Sequence, residues 1–221
     1  MSADFNNMTL DELRLALARD LPADAAFDGW TLAALAATAD RLGVDGDVAQ
    51  LAFPEGAVQM IDAWFASVDA DMLAACPAEA LSALKIRARI STLVEARLSI
   101  LAPYREALRR AQAILASPLH ASTATRLGWR AADVMWRAAG DTATDYNHYT
   151  KRAILGSVYA ATLLIFVNDE SEDWVESRAF LARRIDGIMR FEKAKAKWTG
   201  SGIDRHFSMA RFLGRLRYPA V

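Results

Sequence analysis

The chain is poor in the residue types that most often carry enzyme chemistry. It has one cysteine, Cys76, and three histidines among 221 residues. A single cysteine excludes an internal disulfide and fits a reducing compartment, and we expect Cys76 to be a small buried thiol. No histidine follows a glutamate by three positions, as a di-iron helical bundle would require. Asp145 and His148 are spaced as ligands on a helix, but no second pair accompanies them, so we interpret them as an ordinary helix start.

Other catalytic signatures are missing as well. The sequence contains no P-loop, no glycine-rich dinucleotide fingerprint and no Gly-x-Ser-x-Gly elbow. We therefore expect a protein that is not an enzyme and that needs no cofactor or metal.

Long hydrophobic runs are absent too. The longest apolar stretch, 153–167, has 15 residues. As a helix it would extend ~22 Å, which is less than the ~30 Å hydrocarbon core of a bilayer. We expect a long buried helix here rather than a membrane span. The amino-terminal residues show no secretory or mitochondrial targeting pattern, which predicts a cytoplasmic location.

Basic residues are scarce in the first 80 positions. Three arginines stand there against fourteen acidic residues, a net charge of −11, and the remaining residues carry +10. Binding to nucleic acid needs bases that neutralise phosphates. The segment 44–50, where a recognition helix would lie, has two aspartates and no base. The sequence therefore predicts that this region does not bind nucleic acid.

The patterns that are present indicate helices. Apolar residues make up 53% and charged residues 24%, as in folded globular proteins. Thr9 and Glu12 form a capping box, Thr31 and Gly43 bracket a second helix, and Asp173 with Glu176 resembles another capping box. Prolines mark further helix starts. The predicted helices are 10–19 (stopped by Pro22), 32–42, 44–51, 54 to at least 72, 77–101, 103–115, 118–139, 149–167, 173–197 and 203–217.

This order predicts an all-α bundle of about nine to ten helices. The first four, with a short third, have the layout of a TetR-type regulator, in which a helix-turn-helix precedes a larger ligand-binding bundle. We divide the chain into a degenerate helix-turn-helix region, 1–75, a lipid-binding bundle, 76–200, and a terminal amphipathic helix, 201–221. We expect these three regions to form one continuous structural unit.

One block is distinctive enough to indicate a family. The run 136–153 reads WRAAGDTATDYNHYTKRA, and Asp169-Glu170-Ser171 and a further helix follow it. This aromatic-rich block, interrupted by Gly-Asp, closely resembles the Coq-nine family of ubiquinone-biosynthesis accessory proteins. The resemblance is good over about 120–195, and the acidic amino-terminal layout agrees with that family's TetR-like fold.

The resemblance implies a homodimer with a hydrophobic pocket for an isoprenoid lipid or a phospholipid, peripheral on the inner membrane. It also implies a partner, the di-iron demethoxyubiquinone hydroxylase. The family's docking surface for that partner falls here on Met135, Asp145, His148 and Tyr149. The family usually places tryptophan at the position of His148, and tryptophan would be the stronger interface anchor.

The apolar helix and the tail provide the remaining site predictions. We expect the pocket to be lined by residues of the long apolar helix: Leu155, Val158, Tyr159, Thr162, Leu163 and Phe166. The tail has an apolar face beside arginines, which predicts membrane contact through Phe207, Arg211, Phe212, Leu213, Arg215 and Leu216. Docking of the tail on its own bundle would require a similar apolar face.

Two other functions stay open at this point. One is a TetR-like transcriptional regulator that senses a lipid effector, and the other is a dimeric scaffold without a ligand. Bound lipid in the purified protein would argue against the scaffold, and DNA binding at low salt would favour the regulator.

Overall fold

The computed structural model describes residues 5, 8–142 and 146–199. The described part of the chain is helical and contains no strand, so the all-α prediction is confirmed. Short 3-10 turns precede α7, α8 and α10. The helices are α1 (Leu10–Asp28), α2 (Leu32–Leu42), α3 (Gly46–Ala52), α4 (Ala57–Ala75), α5 (Ala78–Ser82), α6 (Ile86–Leu101), α7 (Arg105–Leu115), α8 (Ala121–Ala138), α9 (Tyr146–Phe166) and α10 (Val175–Thr199).

The described residues up to Ala182 form one compact unit, and those from Arg183 onward belong to a second. Within the first unit, α1 packs against α2, α3, α4 and α7. The first three helices therefore share a core with the later ones. None of the described helices is both long and apolar enough to span a bilayer.

The first helix is longer than predicted. The capping box at Thr9 forms as expected, but α1 continues through Pro22 to Asp28. A proline inside a helix removes one backbone hydrogen bond and costs about 3 kcal/mol. Here Leu21, Pro22 and Ala25 are all buried, and burial of an apolar side chain contributes about 1.5–3 kcal/mol. Tertiary packing thus outweighs the local stop signal, and the predicted end before Pro22 is wrong.

The next two helices follow their local signals. The Thr31 hydroxyl accepts a hydrogen bond from the Ala34 amide at 3.3 Å, and Gly43 ends α2 with a left-handed backbone, φ 72°. Glycine adopts that conformation without steric cost. Asp45 then caps α3 by accepting from the amides of Asp47 and Val48.

The helix predicted over 77–101 is in fact two helices, α5 and α6. The chain leaves the helix between Ser82 and Ile86. Arg89 of α6 donates to the carbonyl oxygens of Ser82 and Leu84, each at 2.9 Å. Its guanidinium therefore satisfies carbonyls that a continuous helix would have used internally.

Two glycines bring α8 and α9 into contact. A Cβ added at Gly156 would lie only 3.3 Å from the carbonyl oxygen of Gly128. Between these helices, Gly140 turns the chain with φ 89°, as the Gly-Asp punctuation predicted. The long helix starts at Tyr146, three residues before the predicted start.

The turn from α9 to α10 depends on Asp169 rather than on the predicted capping box at Asp173. Asp173 and Trp174 have positive φ angles of 51° and 54°. The Asp169 carboxylate instead accepts from the Ser177 amide at 2.8 Å and from the Ser177 hydroxyl at 2.6 Å. Arg105 of α7 donates to the carbonyl oxygen of Asp169 at 2.5 Å, which holds the turn against the bundle.

Candidate ligand cavity and aromatic surface patch

A cavity of about 290 Å³ lies between five helices of the first unit. Most of its lining is apolar. Leu164, which is 61% exposed, lies on the outer side of the lining, whereas Arg97 and Tyr159 are almost fully buried. The lining residues are Phe65, Arg97, Gln112, Leu115, Ala116, Ala124, Leu127, Gly128, Ala131, Tyr159, Ala160, Leu163 and Leu164.

The inner end of the cavity is polar. Arg97 is 1% exposed, and its Nε donates to the Tyr159 hydroxyl at 2.9 Å. Its Nη1 forms an ion pair with Asp69 of α4. The second Asp69 oxygen accepts from Arg130 Nε at 3.1 Å. A buried charge is stable only when it is paired and hydrogen-bonded, as Arg97 is here.

The ion pairs continue from this cluster toward the surface. Arg130 of α8 also pairs with Asp62 and donates to the Asp62 carbonyl oxygen at 2.9 Å. Arg126 reaches the other Asp62 oxygen at 2.8 Å. The network joins α4, α6, α8 and α9 around the cavity, so the positions of its polar groups are fixed before any ligand arrives.

Tyr159 keeps its proton at neutral pH. Burial raises the pKa of its hydroxyl above the usual value. The neighbouring Arg97 guanidinium lowers it, but by less than burial raises it. The hydroxyl that accepts from Arg97 is thus also a potential hydrogen-bond donor.

The six predicted lipid-lining residues are all buried on α9. Tyr159 and Leu163 line the cavity. Phe166 instead packs edge-on against Trp174, with ring centroids 5.4 Å apart, and Thr162 donates to the carbonyl oxygen of Val158. Those two residues, with Leu155 and Val158, belong to the packing around the cavity rather than to its surface.

Sequence reasoning missed Arg97. It stands on the buried face of α6 with Leu93, Val94 and Leu98. One charged residue on an otherwise apolar helical face predicts a buried charge with a partner. The sequence of α6 therefore indicated a buried charge at Arg97, but no neighbouring residue in the sequence identifies Asp69 or Tyr159 as its partners.

A second feature is an aromatic surface patch, which we define as Trp129, His148 and Tyr149. The Tyr149 ring centroid lies 6.0 Å from that of Trp129 and 5.1 Å from that of His148. Tyr149 is 61% exposed. An exposed aromatic ring held between two others is typical of a protein interface.

Hydrogen bonds from charged residues fix the backbone of the aromatic surface patch. Arg152 is 2% exposed and donates to Asp133 at 2.5 Å, to Asp141 at 3.1 Å and to the carbonyl oxygen of His148 at 3.1 Å. Lys151 binds the other Asp141 oxygen at 2.6 Å. Burial would raise the pKa of Asp141, but the hydrogen bonds from Lys151 and Arg152 outweigh it and lower that pKa.

The structure brings together part of the predicted docking surface. His148 and Tyr149 are neighbours in the patch. Met135 is fully buried, so its side chain is not part of the exposed surface. Asp145 lies outside the described residues, as do the six predicted membrane residues of the tail, Phe207, Arg211, Phe212, Leu213, Arg215 and Leu216.

The fold of the chain is similar to that of a known class of helical proteins. The chain is similar to a solved structure of a TetR transcriptional regulator from Nitrosomonas europaea, with a TM-score of 0.63 and 26% identity. The alignment covers 80% of this chain and 97% of that one. The chain therefore has a TetR-like helical fold, which many different functions can share.

The family follows from the segment that contains α8, α9 and the patch. Residues 121–192 match the family model described as COQ9. The chain is thus similar to the COQ9 family over these 72 of its 221 residues.

Curated relatives carry the same family name. The protein is 41% identical over 96 residues to the mitochondrial ubiquinone biosynthesis protein COQ9 of Rattus norvegicus, covering 43% of this chain and 31% of the rat protein. It is 31% identical over 176 residues to COQ9 of Bos taurus, covering 73% of this chain and 52% of the bovine protein. The chain thus matches about half or less of the length of these relatives.

Proposed function

We propose that this protein is a non-enzymatic accessory protein of ubiquinone biosynthesis. In this proposal it binds an isoprenoid lipid or a phospholipid and presents it, at the inner membrane surface, to the di-iron demethoxyubiquinone hydroxylase. The observation that carries the proposal is the apolar cavity between α4, α6, α7, α8 and α9. Much of its lining falls within the segment that matches the family model.

The cavity has the properties of a lipid site. Its lining is largely apolar, with a few polar groups at one end, as in most small-molecule pockets. The exposed Leu164 belongs to the same lining. An apolar side chain at the outer edge would stabilise a hydrocarbon chain that continues out of the cavity.

The aromatic surface patch has the properties of a docking site. Tyr149 is exposed, and the bonds of Arg152 to Asp133, Asp141 and the His148 carbonyl fix the backbone beneath it. A rigid aromatic side chain loses little entropy on binding and often contributes much of the interface energy. We assign the hydroxylase to this patch.

The outer face of α9 supports a homodimer. Ala153, Ser157 and Ala160 are exposed at successive helical turns. Small side chains in this spacing allow a second helix to approach closely. We propose that a second copy of the chain covers this face.

The experiment that tests the proposal is lipid extraction from the purified protein, followed by mass spectrometry. We expect an isoprenoid lipid or a phospholipid in stoichiometric amounts. Leu164→Arg places a charge at the edge of the cavity and should reduce the bound lipid at least tenfold. Leu119→Arg is the matched control, because Leu119 is 88% exposed and does not line the cavity. Wild-type protein that carries no lipid would favour the scaffold instead.

A TetR-like regulator is the second candidate, because the similar solved structure is a transcriptional regulator. The charge of the helix-turn-helix region argues against it. Arg14, Arg19 and Arg41, the three basic residues among the first 80, each form an ion pair with an aspartate. No Lys or Arg occurs in α3. Tight duplex binding in a gel shift at ~50 mM salt that weakens steeply with added salt would favour the regulator.

A further inference from the structure

We infer that the outer side of α3 is a further docking surface and that it binds a basic amphipathic helix of a partner protein. This acidic apolar face, as we call it, consists of Asp45, Asp47, Val48, Leu51 and Glu55. None of these residues lines the cavity or belongs to the aromatic surface patch. The inference therefore does not depend on the proposed lipid-binding function.

Two apolar side chains of this face are exposed to solvent. Val48 is 40% exposed and Leu51 is 64% exposed, whereas Ala49 and Ala52 of the same short helix are fully buried. Because Val48 and Leu51 are three residues apart, they lie on one side of α3. The helix thus packs on the bundle through its small residues and presents its larger apolar residues outward.

Leu10 of α1 extends this apolar surface. It is 45% exposed and lies one turn before Arg14 on the same side of α1. Arg14 Nε donates to the carbonyl oxygen of Ala52 at 2.6 Å, which holds that side of α1 against the end of α3. Neighbouring exposed apolar side chains in a folded protein mark an interaction site.

Carboxylates lie beside these apolar side chains. In the described part of the chain, neither Asp47 nor Glu55 takes part in an ion pair. The three arginines of the first 80 residues pair with aspartates that lie outside this face. A positive side chain of a partner would therefore meet negative charge that the chain itself does not neutralise.

The charge of the face selects its occupant. Nucleic acids and anionic membranes carry negative charge, and the carboxylates repel both. A second copy of the chain that met this face symmetrically would bring the same carboxylates together. A basic amphipathic helix fits both features, because its apolar side covers Val48 and Leu51 while its lysines or arginines reach the carboxylates.

The first test measures the binding of labelled peptides to the full-length protein by fluorescence anisotropy. The probe is a peptide of about 14 leucines and lysines, long enough to form a helix with all its leucines on one side. One control peptide has glutamate in place of every lysine, and the other has the composition of the probe in an order without an apolar side. We expect the probe to bind at least about tenfold more tightly than either control. Equal binding of either control would overturn the inference.

The second test removes the apolar side chains of the face. Val48→Thr combined with Leu51→Gln should weaken binding of the probe about tenfold, because less apolar surface is buried in the complex. Leu73→Gln is the matched control. Leu73 is 45% exposed and lies on α4, 16 residues after its start, which is ~24 Å along the helix. An equal loss in the control variant would contradict the assignment to α3.

The third test removes the negative charges. Asp47→Asn combined with Glu55→Gln should weaken binding of the probe about fivefold at low salt and reduce its dependence on salt concentration. Glu79→Gln, an exposed position on α5, is the control and should change binding less than twofold. Binding that stays equally tight and equally salt-dependent in the double variant would contradict the role of these carboxylates.

Two further outcomes would assign the face to another occupant. If the probe binds only after deletion of residues 203–221, the chain's own tail covers the face. If the Val48 and Leu51 double variant changes the oligomeric state measured by light scattering, a second copy of the chain covers it. Either result would overturn the inference of a partner protein. All the substituted residues are exposed, so the variants should keep the melting temperature of the wild type.

Discussion

Asp169 is a single carboxylate that organises the turn between α9 and α10. It accepts from the amide and the hydroxyl of Ser171 and from both groups of Ser177. Burial by itself would raise the pKa of this carboxyl. The hydrogen bonds from Ser171 and Ser177 outweigh burial and lower the pKa to about 2.

This pKa predicts a specific loss of stability in acid. An unfolded aspartate has a pKa of about 3.9, so the folded value is depressed. The contribution of Asp169 is therefore complete above about pH 4 and lost as the pH falls toward 2. We expect Asp169→Asn to lower the free energy of unfolding at pH 7 by about 1–2 kcal/mol and to flatten its pH dependence between 4 and 2, as measured by urea unfolding.

The control for Asp169 lies in the same turn. Asp173 is exposed and has a positive φ angle, a conformation that asparagine also tolerates. Asp173→Asn should therefore change the free energy of unfolding by less than about 0.5 kcal/mol. An equal effect of the two substitutions would show that Asp169 has no special role.

Tyr149 allows a test of the aromatic surface patch. Because its side chain is 61% exposed, Tyr149→Ala should leave the fold intact. We expect it to weaken pull-down of the hydroxylase by about 30-fold, which corresponds to the ~2 kcal/mol of an interface hot spot. His148→Trp should preserve or strengthen binding. Leu119→Ala, another exposed position, is the control.

A different result would reassign the patch. If Tyr149→Ala lowers the melting temperature strongly while binding per folded molecule stays the same, the residue belongs to the core. The aromatic surface patch would then not be the docking site that we propose.

At the scale of elements, the contact between α8 and α9 positions both the cavity and the patch. Gly128 lines the cavity, and Trp129 beside it belongs to the patch. Tyr159 of the cavity and Tyr149 of the patch both lie on α9. A change in the distance between these helices would therefore alter both sites together.

The two glycines of this contact should respond differently to alanine. Nothing lies within 4 Å of a Cβ at Gly128, whereas a Cβ at Gly156 would meet the Gly128 carbonyl at 3.3 Å. Gly128→Ala should raise the free energy of unfolding by up to about 1 kcal/mol, because alanine has the higher helix propensity. The free energy of unfolding of Gly156→Ala should be at least about 1 kcal/mol lower than that of Gly128→Ala, because the helices must separate. Chemical unfolding measures the free energy of unfolding of both variants. Equal stabilisation by the two substitutions would contradict the close approach of α8 and α9.

Negative and positive charges are concentrated in different parts of the chain. The first 80 residues carry −11 and the remainder +10. The negative segment contains α1 to α4. The positive charge lies in the part that includes the tail, which suits an anionic membrane surface.

We expect membrane attachment to depend on the tail. Deletion of residues 203–221 should leave a folded bundle that no longer sediments with anionic liposomes. Reversing the charges of Arg211 and Arg215 should weaken binding chiefly to anionic vesicles, whereas Phe207→Asp should weaken it on neutral vesicles too, because burial does not depend on lipid charge. If the truncated chain binds vesicles as well as the full chain, the tail is a docked helix.

The sequence by itself determined the fold class and most helix boundaries. Thr31 and Gly43 act within one turn of the helix that they bracket, and such signals depend on backbone sterics and capping bonds between near neighbours. The block 136–153 was distinctive enough to indicate the family. The resemblance carried by that block also placed His148 and Tyr149 on one predicted docking surface.

Only the tertiary structure decided where α1 ends and what the cavity contains. Pro22 would end an isolated helix, but burial against neighbouring helices lets α1 continue. Arg97 meets Asp69 and Tyr159, which lie 28 and 62 residues away in the sequence. A buried charge is stable only beside its partners, and those partners come from helices whose packing is determined by the whole core. For that reason no local pattern could place the polar end of the cavity.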